Sequence, residues 1–320
     1  MVTIIIIILT VAVSLMCFYG GLDLDKLKFS AHDVWHRRKW WQLVTYGFVH
    51  GGWGHLFFNM LTLYFFGRVV EQYFAAVWGE PLGQILYMHD GQMLFDSTTT
   101  WNRQEWKVDE VLGRLMAEGS VKRTIVVGID NTPERLRELL PGMIQSYMDA
   151  DDIEDPAYAL GDSYLKFVTE EVKPLIDSLY RPLTDREHTF IAGSSMGGLI
   201  SLYALCEYPE VFGGAACLSS HISIAYLDDF TRDSDAAADA FLRYVSDMMP
   251  DRETTRLYMD YGKAGYDAAY GPYQERMDSL FLSRGWNEDH YRSLAFEGHD
   301  HNETCWASRL EIPITYLLGE

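Results

Sequence analysis

Residues 188–205 read HTFIAGSSMGGLISLYAL, and this stretch decides the fold of the larger part of the chain. A short apolar run leads into Gly193-Ser194-Ser195-Met196-Gly197, which fits G-x-S-x-G and precedes a helical pattern. Between a strand and a helix, this motif is typical of a tight turn that projects a serine nucleophile above a parallel sheet. It predicts Ser195 as a nucleophile, although the motif alone also fits a glycine-rich turn in any α/β protein. The helix start offers the Met196 N–H to a developing oxyanion.

The surrounding sequence alternates short apolar strands with longer amphipathic stretches. It predicts strands at Gln84 to Met88, Thr124 to Ile129, Thr189 to Ala192, Ala215 to Ser219 and Arg256 to Asp260, and helices at 107–118, 161–180, 197–208 and 271–284. Such alternation indicates a parallel sheet covered on both faces. The acidic stretches 149–155 and 227–240 are interpreted as solvated loops.

A serine nucleophile needs a base and an acid, which follow it along the chain in this kind of fold. The C-terminal stretch FEGHDHNETCW offers His301, with His299 as the second choice. The predicted strand RLYMD leads into a loop that contains Asp267, which is the candidate acid that orients the imidazole. Asp260, at the end of that strand, is the alternative.

The first 78 residues differ from the rest of the chain. They hold six Lys/Arg against four Asp/Glu, whereas the remaining residues hold 20 against 42. Two domains are therefore predicted, at 1–78 and 79–320. The acidic part argues against nucleic acid as a partner. The four cysteines lie far apart without metal-ligand spacing, so neither a metal site nor a disulfide framework is expected.

Two apolar stretches, 2–18 and roughly 52–67, are candidate transmembrane helices near the lower length limit. The second contains His55 and Asn59, which lie four residues apart and share one helix face. Polar groups inside a membrane helix usually face a protein interior or a site. A helix at the membrane surface or in a soluble core is the alternative interpretation.

The stretch KWWQLVTYGFVHGGWGHLFFNMLTLYFFG (39–67) resembles the first loop and second transmembrane helix of rhomboid intramembrane proteases, over roughly residues 1–75. The resemblance implies that His55 and Asn59 form the oxyanion pair of that family. Gln42 departs from the usual Arg. The family's later helices, with the GxSG serine and the second histidine, do not follow, so a truncated segment that contacts membrane lipid as an anchor is expected.

Membrane topology is contested within the sequence. Five basic residues between the two apolar stretches would place that loop in the cytoplasm by the positive-inside tendency. The rhomboid resemblance implies the opposite orientation, with the loop outside. Following the resemblance, we expect a membrane protein whose second domain is cytoplasmic.

The strings LYMHDGQMLFD, VVGIDN, AGSSMGG and GHDHNETCW, with the spacing Arg135-x-x-Glu138-x-x-Pro141, resemble the enterochelin and feruloyl esterases, acetylxylan esterases and mycolyltransferases over about 84–320. The resemblance implies an α/β-hydrolase fold, a serine triad, no cofactor and Gln92 N–H as second oxyanion donor. It also supports His301. The family's first edge strands are missing here, so TIVVGI would become an exposed edge.

The combined expectation is a membrane-anchored serine carboxylic ester hydrolase that forms an acyl-enzyme on Ser195. Its substrate would be a small-molecule or carbohydrate ester, and Trp101, Trp106 and Tyr270 are candidates for a sugar or aryl subsite, although each is more often core packing. Two alternatives remain: a truncated relative of the rhomboid proteases that depends on a different serine, and a non-catalytic fusion with an unstable sheet.

Overall fold

The computed structural model describes residues 2–78 and 82–319. The chain folds into two compact units, Met1–Glu80 and Pro81–Glu320. Each unit is described by itself.

The first unit is helical. Its α-helices are α1 (Val2–Phe18), α2 (Leu24–Leu27), α3 (Ala31–His36), α4 (Gln42–Thr45) and α5 (Trp53–Trp78), with a 3₁₀ turn at Tyr46–Phe48. Helices α1 and α5 pack closely, since a Cβ on Gly67 would lie 2.7 Å from the Thr3 methyl group. The Thr3 N–H donates to Glu71 across the same contact, at 3.1 Å.

The prediction of two transmembrane helices is not supported. No helix in residues 2–78 or 82–319 combines the length and the hydropathy that a membrane crossing requires. The described part of helix α1 has 17 residues, Val2–Phe18, which is at the lower limit of the length of a membrane-spanning helix. Helix α5 has 26 residues, but Arg68 and Glu71 interrupt its apolar sequence.

The second unit is built on a six-stranded sheet in the order β2-β1-β3-β4-β5-β6. Every adjacent pair is parallel. The strands are β1 (Gln84–His89), β2 (Thr124–Ile129), β3 (Thr189–Ser194), β4 (Gly214–Leu218), β5 (Arg256–Gly262) and β6 (Tyr291–Phe296). Among the described residues strand β2 pairs with β1 alone, so TIVVGI is an edge strand, although most of its side chains are half-buried rather than exposed.

Nine α-helices and one π-helix accompany the described part of this sheet. They are α6 (Val108–Glu118), α7 (Arg135–Glu138), α8 (Gly161–Lys166), the π-helix Phe167–Val172, α9 (Lys173–Tyr180), α10 (Met196–Glu207), α11 (Ser234–Asp247), α12 (Gly271–Ser283), α13 (Glu303–Arg309) and α14 (Glu311–Leu318). Short 3₁₀ turns lie at Gly91–Met93, Met143–Tyr147, Ala150–Asp152, Arg186–His188, Arg252–Thr254 and Gly265–Tyr270.

Successive strand residues enter two separate cores, because side chains alternate across a sheet. Ile191 in β3 and Cys217 in β4 belong to one core with helices α8, α10, α11 and α12. Phe190 and Leu218 belong to the other, with helices α6, α13 and α14. The sheet is thus covered on both faces, as the alternation of strands and helices predicted.

Two predictions of local structure were incomplete or wrong. The acidic stretch 227–240 was predicted as a loop, but helix α11 begins at Ser234. Its acidic residues are on the exposed side, whereas Ala237, Phe241 and Tyr244 are buried at helical spacing. Strand β6 was not predicted, since Arg292 and Ser293 interrupt its apolar pattern.

Candidate functional site

Ser195 lies at the turn from strand β3 into helix α10. Its backbone has φ 57° and ψ −122°, which is strained for a residue with a side chain. Hydrogen bonds hold this conformation from both sides: the Ser195 N–H donates to Leu218 O at 2.9 Å, and the His221 N–H donates to Ser195 O at 3.1 Å. The turn projects Ser195 at the carboxyl edge of the sheet, where the G-x-S-x-G pattern predicted it.

The structure brings His301 and Asp267 together. His301 follows strand β6, and Asp267 lies in the 3₁₀ turn after β5. The His301 Nδ1 and Asp267 Oδ1 atoms are 2.6 Å apart, and Asp267 is fully buried. Because an ionised carboxylate can only accept, Nδ1 carries a hydrogen, and in the neutral ring Nε2 has the lone pair.

Asp260 has different partners. Its carboxylate accepts hydrogen bonds from Arg309 and from the Tyr258 hydroxyl, all within the buried core. His299, the second choice for a base, has its Nδ1 3.2 Å from Arg309 Nη1. Of the alternatives left open by the sequence, Asp267 and His301 are the pair placed beside each other.

The predicted oxyanion donors lie on adjacent elements. Gln92 follows strand β1 in the turn Gly91–Met93, and Met196 begins helix α10. Asp90 fixes the turn: it has φ 56°, and Arg135 donates to both of its oxygens at 2.5 and 2.7 Å. This ion pair and Asn131 hold the pKa of Asp90 below its usual value, against the effect of burial.

Ser195 and His301 line two clefts. The larger, of about 660 Å³, is lined by Gln92, Trp101, Trp106 and Trp306 together with the polar residues Asp90, Asn102, Gln104, Asn131, Arg135, Asn302 and Glu303. The smaller, of about 260 Å³, is more apolar and includes Leu136, Met196, Tyr226, Leu227 and Tyr266. A substrate bound across Ser195 would therefore have its more polar part in the larger cleft and its more apolar part in the smaller one.

A neutral histidine supports the wall around His301. The His221 Nε2 donates to Ala225 O at 2.9 Å, so its Nδ1 accepts from the Tyr270 hydroxyl at 2.6 Å. Burial lowers the pKa of His221 to about 4, which keeps the ring neutral. The Tyr270 ring packs edge-on against His301 at 5.4 Å. Tyr270, predicted as a subsite residue, is only 3% exposed and contacts the proposed base instead.

Several residues of the site were not found in the sequence. Arg309, Ser219 and His221 converge on the site from distant positions, with no spacing that could have pointed to them. Trp101 and Trp106 do line the larger cleft; Trp101 is 83% exposed and Trp106 is 2% exposed.

In the first unit, His55 and Asn59 are both exposed and flank the buried His50. The Asn59 Nδ2 is 3.1 Å from His50 Nε2, and the rings of His50 and His55 are 4.9 Å apart. The His50 Nδ1 lies 3.1 Å from Ser14 Oγ, whose hydrogen goes to Phe48 O. This network ties α1 to α5.

The sheet is parallel, a serine lies at a strained strand-to-helix turn, and an acid and a histidine follow later strands. This is the arrangement of an α/β hydrolase. Residues 79–311 match the family model described as Putative esterase, and the chain belongs to this Esterase family. Residues 37–88 match the Rhomboid domain.

Curated relatives cover only part of the chain. The uncharacterized protein YbbA of Bacillus subtilis is 28% identical over 135 residues, which is 42% of this chain and 48% of that protein. The iron(III) enterobactin esterase of Escherichia coli is 38% identical over 81 residues, 24% of this chain and 20% of that protein. The chain thus spans about half or less of the length of these relatives.

Solved structures show the same fold. A ferulic acid esterase has a TM-score of 0.52 at 18% identity, with 75% of this chain and 86% of that chain covered. The enterobactin esterase of Shigella flexneri has a TM-score of 0.51 at 20% identity, covering 75% and 53%. A siderophore hydrolase of Aspergillus nidulans has a TM-score of 0.50 at 18% identity, covering 74% and 84%.

Proposed function

We propose that this protein is a serine carboxylic ester hydrolase that works through an acyl-enzyme on Ser195. The observation that carries the proposal is the 2.6 Å contact between His301 Nδ1 and the buried Asp267, beside clefts that Ser195 and His301 both line. A buried carboxylate fixes the imidazole tautomer with Nε2 free to act as base, and it stabilises the imidazolium that forms.

In the proposed reaction the Ser195 Oγ attacks the ester carbonyl carbon while His301 Nε2 takes its proton. The N–H groups of Gln92 and Met196 hold the oxyanion of the tetrahedral intermediate. His301 then gives the proton to the leaving alcohol, and the acyl group stays on Ser195. Water, deprotonated by the same imidazole, releases the acid and restores the serine. The mechanism uses no metal or cofactor.

The two clefts support an acyl ester of a carbohydrate as the substrate. The exposed indole ring of Trp101 and several carboxamides line the larger cleft, and groups of these kinds stack on sugar rings and bind their hydroxyls. The smaller, more apolar cleft would receive a short acyl or aryl group. We expect a larger kcat/KM for acetylated xylo-oligosaccharides than for p-nitrophenyl acetate.

The experiment that tests the proposal measures hydrolysis by the full chain, with p-nitrophenyl acetate, methyl ferulate and acetylated xylo-oligosaccharides as substrates. Ser195→Ala is expected to lower kcat by about 10⁴-fold or more. Ser201→Ala is the matched control, because Ser201 lies in the second turn of helix α10, is fully buried, and donates to Gly197 O at 2.7 Å within that helix.

A fluorophosphonate probe gives a second readout, since it labels an activated serine without turnover. Labelling at Ser195 would contradict a non-catalytic fusion. Hydrolysis that survives Ser195→Ala in folded protein would overturn the proposal and favour the rhomboid-type alternative, which needs a different serine.

We also infer that the first unit associates with a membrane. The match of residues 37–88 to the Rhomboid domain supports this, as do the large apolar side chains exposed on helix α5, where Phe58 is 66% and Phe65 is 61% exposed. Contiguous exposed apolar surface of this kind marks an interaction site.

A further inference from the structure

A buried ionic cluster lies directly behind the Asp267–His301 pair. Asp260 and Ser219 are fully buried, and Arg309 is 2% exposed. These three residues come from strand β5, the end of β4 and helix α13. The proposed reaction uses none of them directly.

The hydrogen of Ser219 can point only at Asp267. Ser219 Oγ accepts from Trp306 Nε1 at 3.0 Å and from Arg309 Nη2 at 2.9 Å, and both of these groups can only donate. Both lone pairs of the hydroxyl are therefore occupied. Its O–H donates to Asp267 Oδ2 at 2.5 Å, beside the Gly262 N–H at 2.8 Å. These two donors occupy Asp267 Oδ2, and Oδ1 is the oxygen that contacts His301.

Arg309 is held in turn by Asp260. The Arg309 Nη2 donates to Asp260 Oδ1 at 2.9 Å, and Nε donates to Oδ2 at 3.2 Å. The same Nη2 is 3.8 Å from Asp267 Oδ2, so one guanidinium faces two carboxylates. Burial raises the pKa of Asp260, and Arg309 opposes that effect. A buried ion pair is a poor source of net stability, which points to another reason for this arrangement.

The charges of the cluster do not balance at rest. With both carboxylates ionised, two carboxylates and one guanidinium carry a formal net charge of one negative unit in a site buried from solvent. When His301 takes the proton of Ser195, the imidazolium completes the balance. If Asp260 were absent, Arg309 alone would neutralise Asp267, and the positive imidazolium would be less favourable.

We propose that Asp260, Arg309 and Ser219 are positioning residues for Asp267. Asp260 favours protonated His301, whereas Ser219 and Arg309 hold the Asp267 carboxylate in place and limit its attraction for the imidazolium. Ser219 accepts a hydrogen bond from Arg309 and donates one to Asp267, so it links the guanidinium to the carboxylate. Asp260 pairs with the same guanidinium, which then does not cancel the charge of Asp267. This inference rests on the proposed roles of Ser195 and His301.

Other ionisable groups also face His301, and the substitutions below leave them in place. Asp300 accepts from the His301 N–H at 2.7 Å, and Tyr266 packs on the ring at 5.1 Å. Tyr270 and His221 also lie beside the ring, and His299 contacts Arg309. Asp90, Arg135 and Glu303 line the larger cleft together with His301.

The test follows the ring of His301 by NMR titration of the full chain, with Ser195→Ala present so that the readout does not depend on turnover. Asp260→Asn is expected to move the His301 titration midpoint to lower pH by about one unit, because it removes a nearby negative charge. In protein that retains Ser195, the acid limb of the pH profile of kcat/KM should also shift to lower pH. The value of kcat on the plateau of its pH profile should be at least tenfold lower.

Ser219→Ala provides the second arm. It removes a hydrogen bond that stabilises the Asp267 charge, so the carboxylate should hold the imidazolium proton more strongly. The His301 midpoint is therefore expected to move to higher pH, opposite to Asp260→Asn. A loss of packing alone would not produce shifts of opposite sign.

Asp162→Asn is the matched control, since Asp162 also accepts from a buried tyrosine, Tyr203, at 2.5 Å, outside this cluster. It should leave the midpoint unchanged. Unshifted midpoints in both cluster variants, or shifts of the same sign, would overturn the inference. Absence of turnover in the unsubstituted protein would instead count against the proposed function.

Discussion

His89 and His221 are buried as neutral rings at the carboxyl ends of β1 and β4. His89 is 2% exposed, with its Nδ1 2.6 Å from the Tyr164 hydroxyl, and His221 is 6% exposed. Burial lowers the pKa of each ring to about 4. The unperturbed pKa of a histidine side chain is near 6.5, so the folded protein resists protonation of both rings between pH 6.5 and about 4.

This burial predicts a loss of stability on acidification. Between pH 6.5 and 4 the unfolded chain binds protons that the folded protein excludes, so the free energy of unfolding falls as pH falls. The loss is about 3 kcal/mol for each ring once pH is below 4. Urea denaturation across this range measures it.

His89→Gln should remove about half of that pH dependence, because the amide cannot be protonated. His32→Gln, at a side chain that is 68% exposed, is the control and should leave the slope unchanged. An unfolding free energy that is flat from pH 6.5 to 4 would contradict the assignment of neutral buried rings.

At this scale the sequence predicted Ser195 and His301 from local patterns, and it left Asp267 and Asp260 as alternatives. The two aspartates lie seven residues apart around the end of β5, and no local pattern says which one faces the histidine. The structure places Asp267 beside His301 because the 3₁₀ turn Gly265–Tyr270 carries it there, while Arg309 holds Asp260.

Among elements, the turn between β3 and α10 is the most constrained. A Cβ on Gly193 would lie 2.7 Å from the Gly197 carbonyl carbon and 2.8 Å from its oxygen. These are backbone atoms of the helix that follows Ser195, so they cannot move aside without moving the nucleophile.

Gly193→Ala is therefore expected to destabilise the protein by about 2–4 kcal/mol and to reduce turnover strongly. Gly113→Ala is the matched control in helix α6, where a Cβ would meet nothing within 4 Å. It should stabilise by about 0.5–1 kcal/mol, because alanine is the better helix former. Equal effects of the two substitutions in urea denaturation would disprove the steric argument.

The elements predicted correctly share a physical feature: central strands buried on both faces read as continuous apolar runs. Strand β1 is buried throughout, and all six of its residues lay within or next to the predicted strand. Strand β6 is at the sheet edge and only partly buried, so its polar residues concealed it. Helix α11 was missed because its acidic face dominated the composition of 227–240.

For the whole molecule, strand order decides where the site lies. Strand β1 pairs with β2 on one side and β3 on the other, so the chain proceeds in opposite directions along the sheet from β1. In open parallel sheets, clefts form at the carboxyl ends of strands where this reversal occurs. Gln92 after β1 and Ser195 after β3 lie at that position.

Membrane association of the first unit is testable with the whole chain. Phe58 and Phe65 are seven residues apart and lie on one exposed face of helix α5. We expect the full chain to float with phosphatidylcholine vesicles, and Phe58→Ser with Phe65→Ser to reduce the floating fraction severalfold, since apolar burial drives such binding.

Leu175→Ser with Leu179→Ser is the matched control, at two exposed apolar side chains four residues apart on helix α9. This pair should leave flotation unchanged. A full chain that stays at the bottom of the gradient would refute membrane association, and equal losses from both pairs would show that the binding is not specific to helix α5.

The sequence by itself determined the class of fold, the β3–Ser195–α10 turn, the Esterase membership and the position of β2 at the sheet edge. These features are local: they depend on apolar runs, turn residues and helix periodicity within a few residues of one another. Only the tertiary structure decided the partner of His301 and the placement of Arg309 and Ser219 behind Asp267. Those contacts join residues from four separate segments, and their side chains meet only because parallel strands end at one edge of the sheet.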